Sequence, residues 1–345
     1  MAQLSVQLRK QNPARWLFAG GLVLLASWIA LGVVQGGWLR VFEQISNFST
    51  VVLGIFIEGA PFLLLGSLGS AVMEVFFKPE EICQALPKRS LPGAFVGALL
   101  GLFFPVCECG VVPLSRRLLQ KGAPPSVGIA FLLGAPALNP VVLASTFVAF
   151  GWGPIFWGRI VFTLLIATIT GAVLGLQKDP KALLNHTSLV SVDISLLDET
   201  HKTEEALSLS QKISRAASIT VEEFFEIGRF FVLGASLAAV MQTFIPQTVL
   251  FSLSRGPVLS VLTLIALAVL LSVCSTVDAF IALSFAGSFT TGAVLAFLVF
   301  GPMVDIKSTF LFLHVFQRKN VLFLILFPLL LTILIGIFLN LNVNI

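Results

Sequence analysis

The 345-residue chain has no tyrosine, only four cysteines and very little charge. Asp, Glu, Lys and Arg make up 11% of it, where a soluble domain carries about 25%. That excludes a water-soluble globular protein. With 57% hydrophobic residues, the chain reads as an all-α polytopic membrane protein. No stretch alternates apolar and polar residues as a membrane β-barrel requires. Without tyrosine, the interfacial belt must be built from Trp, Lys and Arg. Four cysteines do not suggest a disulfide framework. There is no Walker motif or other phosphate-cradling glycine loop, so the chain itself is not expected to use ATP. The net charge of +4 comes from short loops and implies topology, not a nucleic-acid partner. The expected partners are the lipid bilayer and a small substrate; no cofactor and no enzymatic activity are expected.

Apolar runs mark spans near 16–36, 48–77, 126–150, 154–176, 220–246, 290–313 and 320–340. Two further segments, 91–119 and 257–287, are apolar but interrupted at cysteines. Arg9, Lys10 and Arg15 precede the first run, which lacks a small-residue cleavage site and so reads as an uncleaved span. The polar stretch 177–219 reads as a cytoplasmic linker with an amphipathic end. Four regions follow: 1–46, a cytoplasmic tail and an extra helix; 47–176, a first membrane repeat; 177–219, the linker; and 220–345, a second repeat.

The two repeats rest on three blocks in the same order. EGAPFLLLGSLGSAVMEVF (58–76) aligns without gaps to EIGRFFVLGASLAAVMQTF (226–244), setting Glu58 on Glu226, Gly66 on Gly234 and Met73 on Met241. Val106-Cys107 falls on Val273-Cys274. AFLLGAPALNP (130–140) falls on AFLVFGPMVDI (296–306), pairing Pro136 with Pro302 and Asn139 with Asp305. Loop charge gives the orientation. A basic N-terminus is expected in the cytoplasm, as are Lys78, Lys88 and Arg89. If 91–119 enters the membrane, turns and comes back, Arg116, Arg117 and Lys121 also stay inside. The corresponding 279–290 carries no charge and fits the outer side. Each repeat then has three transmembrane helices plus a re-entrant hairpin, and three crossings invert one repeat against the other. The expected location is the plasma (inner) membrane, N-terminus in.

Cys107-Glu108-Cys109 is costly at membrane depth, and such residues mark a functional site. Pro105 and Gly110 break the helix around it, with Pro113 a candidate start for the returning half. Ser275-Thr276-Val277-Asp278 reads as a capping box for a second half-helix. Helix N-termini favour anions. If the two tips meet, Cys107, Cys109 and Cys274 form a three-sulfur cluster suited to a soft metal ion or trivalent metalloid. Pro136, Pro140 and Pro302 break spans beside Asn139 and Asp305, the candidate polar contacts to substrate. Glu108, Asp278 and Asp305 are candidates for a coupling proton, Glu108 foremost because no basic residue neighbours it. Asp278 is equally a helix cap, Asp305 a partner of Lys307, and Glu226 a partner of Arg229. His186, His201 and His314 form no ligand pattern, and Cys83 stands alone in a loop.

Secondary transport of a thiophilic substrate is the leading expectation. Two alternatives remain: a membrane thiol-disulfide oxidoreductase using Cys107 and Cys109, and a permease for a small anion held by half-helix N-termini, with structural cysteines. PVCECGVVPLSRRLLQKGAPPSVGIAFLLGAPALNP (105–140), CSTVDAF (274–280) and AFLVFGPMVDIKSTF (296–310) resemble the bacterial predicted-permease family that includes the organoarsenical efflux permease ArsP and the YraQ-type permeases. The resemblance implies a multi-span permease, with export of trivalent organoarsenicals among its members and Cys107, Cys109 and Cys274 as inheritors of a binding role. The family pattern has a small residue between the first two cysteines, where this chain has Glu108.

Overall fold

In a bilayer only internal hydrogen bonds satisfy the backbone, so a chain this poor in charge must form long apolar helices. The computed structural model describes residues 13–87, 89–177, 183–185, 208–244 and 256–342, with the backbone alone for 13–41, 83, 85 and 244. The first half holds α1 (Pro13–Phe76), α2 (Pro79–Ala85), α3 (Ser90–Leu100), α4 (Glu108–Gln120), α5 (Pro125–Leu138), α6 (Pro140–Phe150) and α7 (Pro154–Leu174). The second holds α8 (Leu209–Phe244), α9 (Pro257–Leu271), α10 (Asp278–Phe285), α11 (Thr291–Met303), α12 (Ile306–Val315) and α13 (Arg318–Asn342). The chain divides at Val51/Val52 into two compact units. The first contains the N-terminal part of α1; every site residue belongs to the second.

Among the described residues, six stretches are long and apolar enough to cross a membrane: Phe42–Phe76, Pro125–Phe150, Pro154–Leu174, Leu209–Thr243, Thr291–Val315 and Arg318–Asn342. The turn expected between 36 and 48 is not made, and α1 runs through it. The physical reason is local: no proline lies between Pro13 and Pro61, and Gly36-Gly37 alone costs a helix only about 1 kcal/mol per residue. Of the expected linker, 209–219 is the start of α8, while His186, His201 and most of 178–207 lie outside the described residues.

Both interruptions fall where the sequence places them. After α3 a 3-10 turn (Gly101–Phe103) leads into extended backbone up to Cys107, and α4 begins at Glu108. Pro113 does not start that helix. The Cys107 carbonyl already accepts the amides of Gly110 and Val111, so the first turn closes earlier and Pro113 lies inside α4. In the second half α9 stops at Ser272, the only described non-glycine residue with positive φ (47°), and α10 starts at Asp278.

Apart from α2, the described helices of the second half follow the order of those in the first, and their packing matches. α3 packs on α5 and α7 as α9 packs on α11 and α13; α4 meets α12, α10 meets α6, and α5 meets α11 at the centre. Two matched glycines allow the closest approaches. A Cβ on Gly66 would collide with the Gly110 backbone, and one on its repeat mate Gly234 with Lys307. Small residues at helix crossings are how membrane helices gain close packing. Gly66→Ala is therefore expected to destabilise the protein by about 1–3 kcal/mol. Gly54→Ala, where nothing stands within 4 Å, is expected to be neutral or better. Thermal unfolding of both variants in detergent checks this, and equal midpoints would contradict it.

Candidate functional site

Cys107 is the N-cap of α4, and Glu108 and Cys109 are its first two residues, so all three sit among the free amides that open a helix. Cys274 lies four residues ahead of α10, in the turn that leads into it, its carbonyl accepting the amides of Val277 and Asp278. A capping residue from the neighbouring break restrains each of these approaches. Asn139 caps α6 by accepting the Val142 amide (2.8 Å) and donates from Nδ2 to the Val106 carbonyl (3.1 Å). Asp305 caps α12 by accepting the Ser308 amide (2.6 Å), and its other oxygen accepts the Ser272 hydroxyl (2.6 Å). Asn139 and Asp305 are thus joined to the cysteine loops through their own hydrogen bonds. Pro136 and Pro302 lie within α5 and α11, Pro140 opens α6, and Pro105 sits in the extended break.

The two loops meet. A Glu108 carboxylate oxygen and the sulfurs of Cys107 and Cys274 all lie within 4.8 Å of one another, and all three residues are buried. The Cys107 thiol also contacts that of Cys109. The three cysteines are free thiols. Of the three sulfurs expected together, Cys107 and Cys274 share this group with Glu108, and Cys109 is not part of it.

Glu108 does have a basic partner, contrary to expectation. Lys307, on α12, places Nζ 2.9 Å from Glu108 Oε1, 3.3 Å from Asp305 Oδ2 and 2.7 Å from the Ser272 carbonyl oxygen. Glu108, Asp305 and Lys307 are each 3% exposed or less. One buried ammonium thus serves two buried carboxylates. The Glu108 Oε2 atom has no hydrogen-bond partner, and neither does the hydroxyl of Ser275, which follows Cys274 as Glu108 follows Cys107.

Asp278 does not cap α10. Val277 is the N-cap, and no side chain bonds to it. The Asp278 carboxylate is instead held bidentately by Arg159 of α7, at 2.7 and 3.0 Å, and Arg159 also donates to Thr146 (2.9 Å). Arg116 and Arg117 are not loop charges. Both are buried in α4, Arg116 against Glu226 (3.2 Å), Arg117 against Glu74 (3.5 Å) and Glu223 (3.6 Å), with Lys121 beside Glu74 (3.4 Å). Glu226 pairs with Arg116 and His314 (3.1 Å), whereas Arg229 reaches only its backbone carbonyl. Lys307 and Arg159 are the residues that sequence reasoning undervalued. The available signal was a lone charge in an apolar run, which is rare without a partner.

Removing one member of a buried ion pair strands the other charge, at a cost of about 3–5 kcal/mol. Asp278→Ala is expected to show that loss in unfolding measurements. Arg159→Met combined with Asp278→Leu is expected to recover most of it. A double variant no more stable than the single would contradict a paired role.

Residues 44–341 match the ArsP_1 family, described as a predicted permease. The UPF0718 protein YcgR of Bacillus subtilis (strain 168) is 38% identical over 281 residues, covering 81% of this chain and 92% of the relative. A putative two-component membrane permease complex subunit of Streptococcus mutans is 36% identical over 274 residues, 79% and 88% of the two chains. The UPF0718 protein YraQ of Escherichia coli (strain K12) is 26% identical over 109 residues, 31% of this chain and 32% of the relative. No solved structure matches. With a family match spanning nearly the whole membrane part and relatives of this similarity, the chain belongs to the ArsP_1 family of predicted permeases.

Proposed function

We propose that this multi-pass permease moves a small thiophilic substrate by alternating access of two inverted repeats around the Cys107–Cys274 pair. The observation that supports it most is the meeting of cysteines from two corresponding helix breaks in a buried centre that also holds Glu108, Asp305 and Lys307. Thiols at such a place bind soft species and disfavour hard cations. Trivalent organoarsenicals belong to that class, and their efflux is the form the family resemblance implies. Glu108 and Asp305, sharing Lys307, are the groups suited to take a coupling proton.

Discontinuous helices whose N-termini point at a central site are the usual build of inverted-repeat transporters. The burial of Arg116 and Arg117 removes them from the loop-charge count, so the inverted arrangement leans on Lys78, Lys88, Arg89, Arg318 and Lys319 and on the uncharged 279–290. The arrangement has 47–176 and 220–345 as repeats, 91–119 and 257–287 as re-entrant hairpins, and the 177–219 linker and N-terminus in the cytoplasm.

Two measurements test this reading. Cells carrying the wild-type protein are expected to lower their content of at least one thiophile from a panel of methylarsenite, antimonite, cadmium and cuprous copper. Cys107→Ser and Cys274→Ser, at equal membrane expression, are expected to abolish the effect. Transport that survives both replacements would sink the thiophile reading. For topology, Arg89→Cys and Gly122→Cys are expected to react with thiol reagents only from the cytoplasmic side and Ser288→Cys only from outside. Labelling of positions 89 and 122 from opposite sides would make 91–119 a full crossing.

A further inference from the structure

A carboxylate stands beside the two sulfurs that meet. The mutually close donors are Cys107, Cys274 and Glu108, whereas Cys109 is set to one side against Cys107. An all-sulfur set selects the softest species. Replacing one sulfur with a carboxylate oxygen moves the preference to the borderline-soft d10 dications, which accept mixed sulfur and oxygen ligands.

Polar atoms on the two sulfur-bearing segments also lack a partner. Glu108 Oε2 is buried and accepts no hydrogen bond, and Ser275, which follows Cys274, has a buried, unpartnered hydroxyl. Buried polar groups left unsatisfied are uncommon and costly, the more so when charged. Lys307 gives Glu108 an ion pair on Oε1 only, and it has two further partners, Asp305 and the Ser272 carbonyl. It can release Glu108 and remain paired. Ser272 itself is held in the left-handed region at φ 47°, fixed by its hydroxyl bond to Asp305 and its carbonyl bond from Lys307. Strain of this kind persists only where surroundings over-determine it, and it gathers at ligand clamps.

We propose that the cargo of this permease is a divalent d10 cation such as zinc or cadmium, bound by the sulfurs of Cys107 and Cys274 and the carboxylate of Glu108, with Lys307 occupying the Glu108 side of the site until the ion arrives. This assignment rests on the thiophile-permease reading and names the substrate class of the same site. Binding forms two metal–sulfur bonds and one metal–oxygen bond; the two S–H bonds break and their protons leave to water. One dication in and two protons out leaves the buried charge unchanged. A monovalent ion on the same ligands would add a net negative charge to a buried centre, which is strongly unfavourable.

The test is cadmium titration of the purified full chain in detergent, read by the ultraviolet cadmium–thiolate charge-transfer band and by cadmium bound per protein after gel filtration. The wild type is expected to bind one ion. Cys107→Ser and Cys274→Ser are expected to lose most of the band. Glu108→Gln is expected to keep the band but weaken binding by about tenfold or more, and Cys109→Ser to retain both stoichiometry and band. Each variant's elution profile and thermal midpoint control for folding. Binding indifferent to Glu108→Gln but abolished by Cys109→Ser would overturn the mixed donor set in favour of a three-sulfur site. Absence of cadmium binding, with Cys107-dependent binding of methylarsenite, would overturn the dication assignment and leave the thiophile permease standing. Failure of every thiophile to bind the folded wild type would overturn both.

Discussion

A helix that breaks in an apolar environment frees backbone groups that have no water to turn to, and the centre of this protein depends on how those groups are satisfied. Asn139 and Asp305 do it on the two sides. Each caps the helix that follows its own break and reaches across to the loop before a cysteine, Asn139 to the Val106 carbonyl and Asp305 to the Ser272 hydroxyl. Because each bond joins a proline-broken span to a sulfur-bearing loop, the positions of Cys107 and Cys274 are set by the breaks and not by the cysteines themselves. The thiols can meet because their loops are tied down independently.

Buried charge is the second organising element. Lys307 draws α4 toward α12 through Glu108; Arg116 and Arg117 fasten α4 to α8 and α1; Arg159 fastens α10 to α7. Such pairs add little net stability, because desolvation offsets their attraction, but a wrong partner leaves a stranded charge. They therefore act on register. The two short helices that follow the sulfur loops, α4 and α10, are also the ones clipped to their neighbours by ion pairs, in addition to apolar packing. Gly66 and Gly110 bring α1 against α4 closely enough for these contacts to form.

Much of this was legible in the chain. The interruptions near Cys107 and Cys274, the pairing of Asn139 with Asp305 and the convergence of two cysteines follow from breakers and repeated blocks, which act locally. Glu108 looked unpartnered because Lys307 lies 199 positions away on the same numbering. Arg116 and Arg117 resembled loop charges because a short basic stretch beside an apolar one looks the same whether it faces water or a buried acid. Asp278 resembled a cap because the Ser-x-x-Asp pattern is local, whereas Arg159, which takes its carboxylate, is on a different helix.

By itself, then, the sequence determined that the chain lives in a membrane as helices, where those helices break, and which segments resemble one another. Hydropathy, proline and repeated patterns are properties of neighbouring residues, and they act before any tertiary contact exists. Only the tertiary structure decided which acid meets which base, and that a carboxylate joins the Cys107–Cys274 pair in one group. Ion pairing and metal-ligand geometry depend on distances of a few ångströms between segments far apart along the chain, and sequence separation carries no information about those distances.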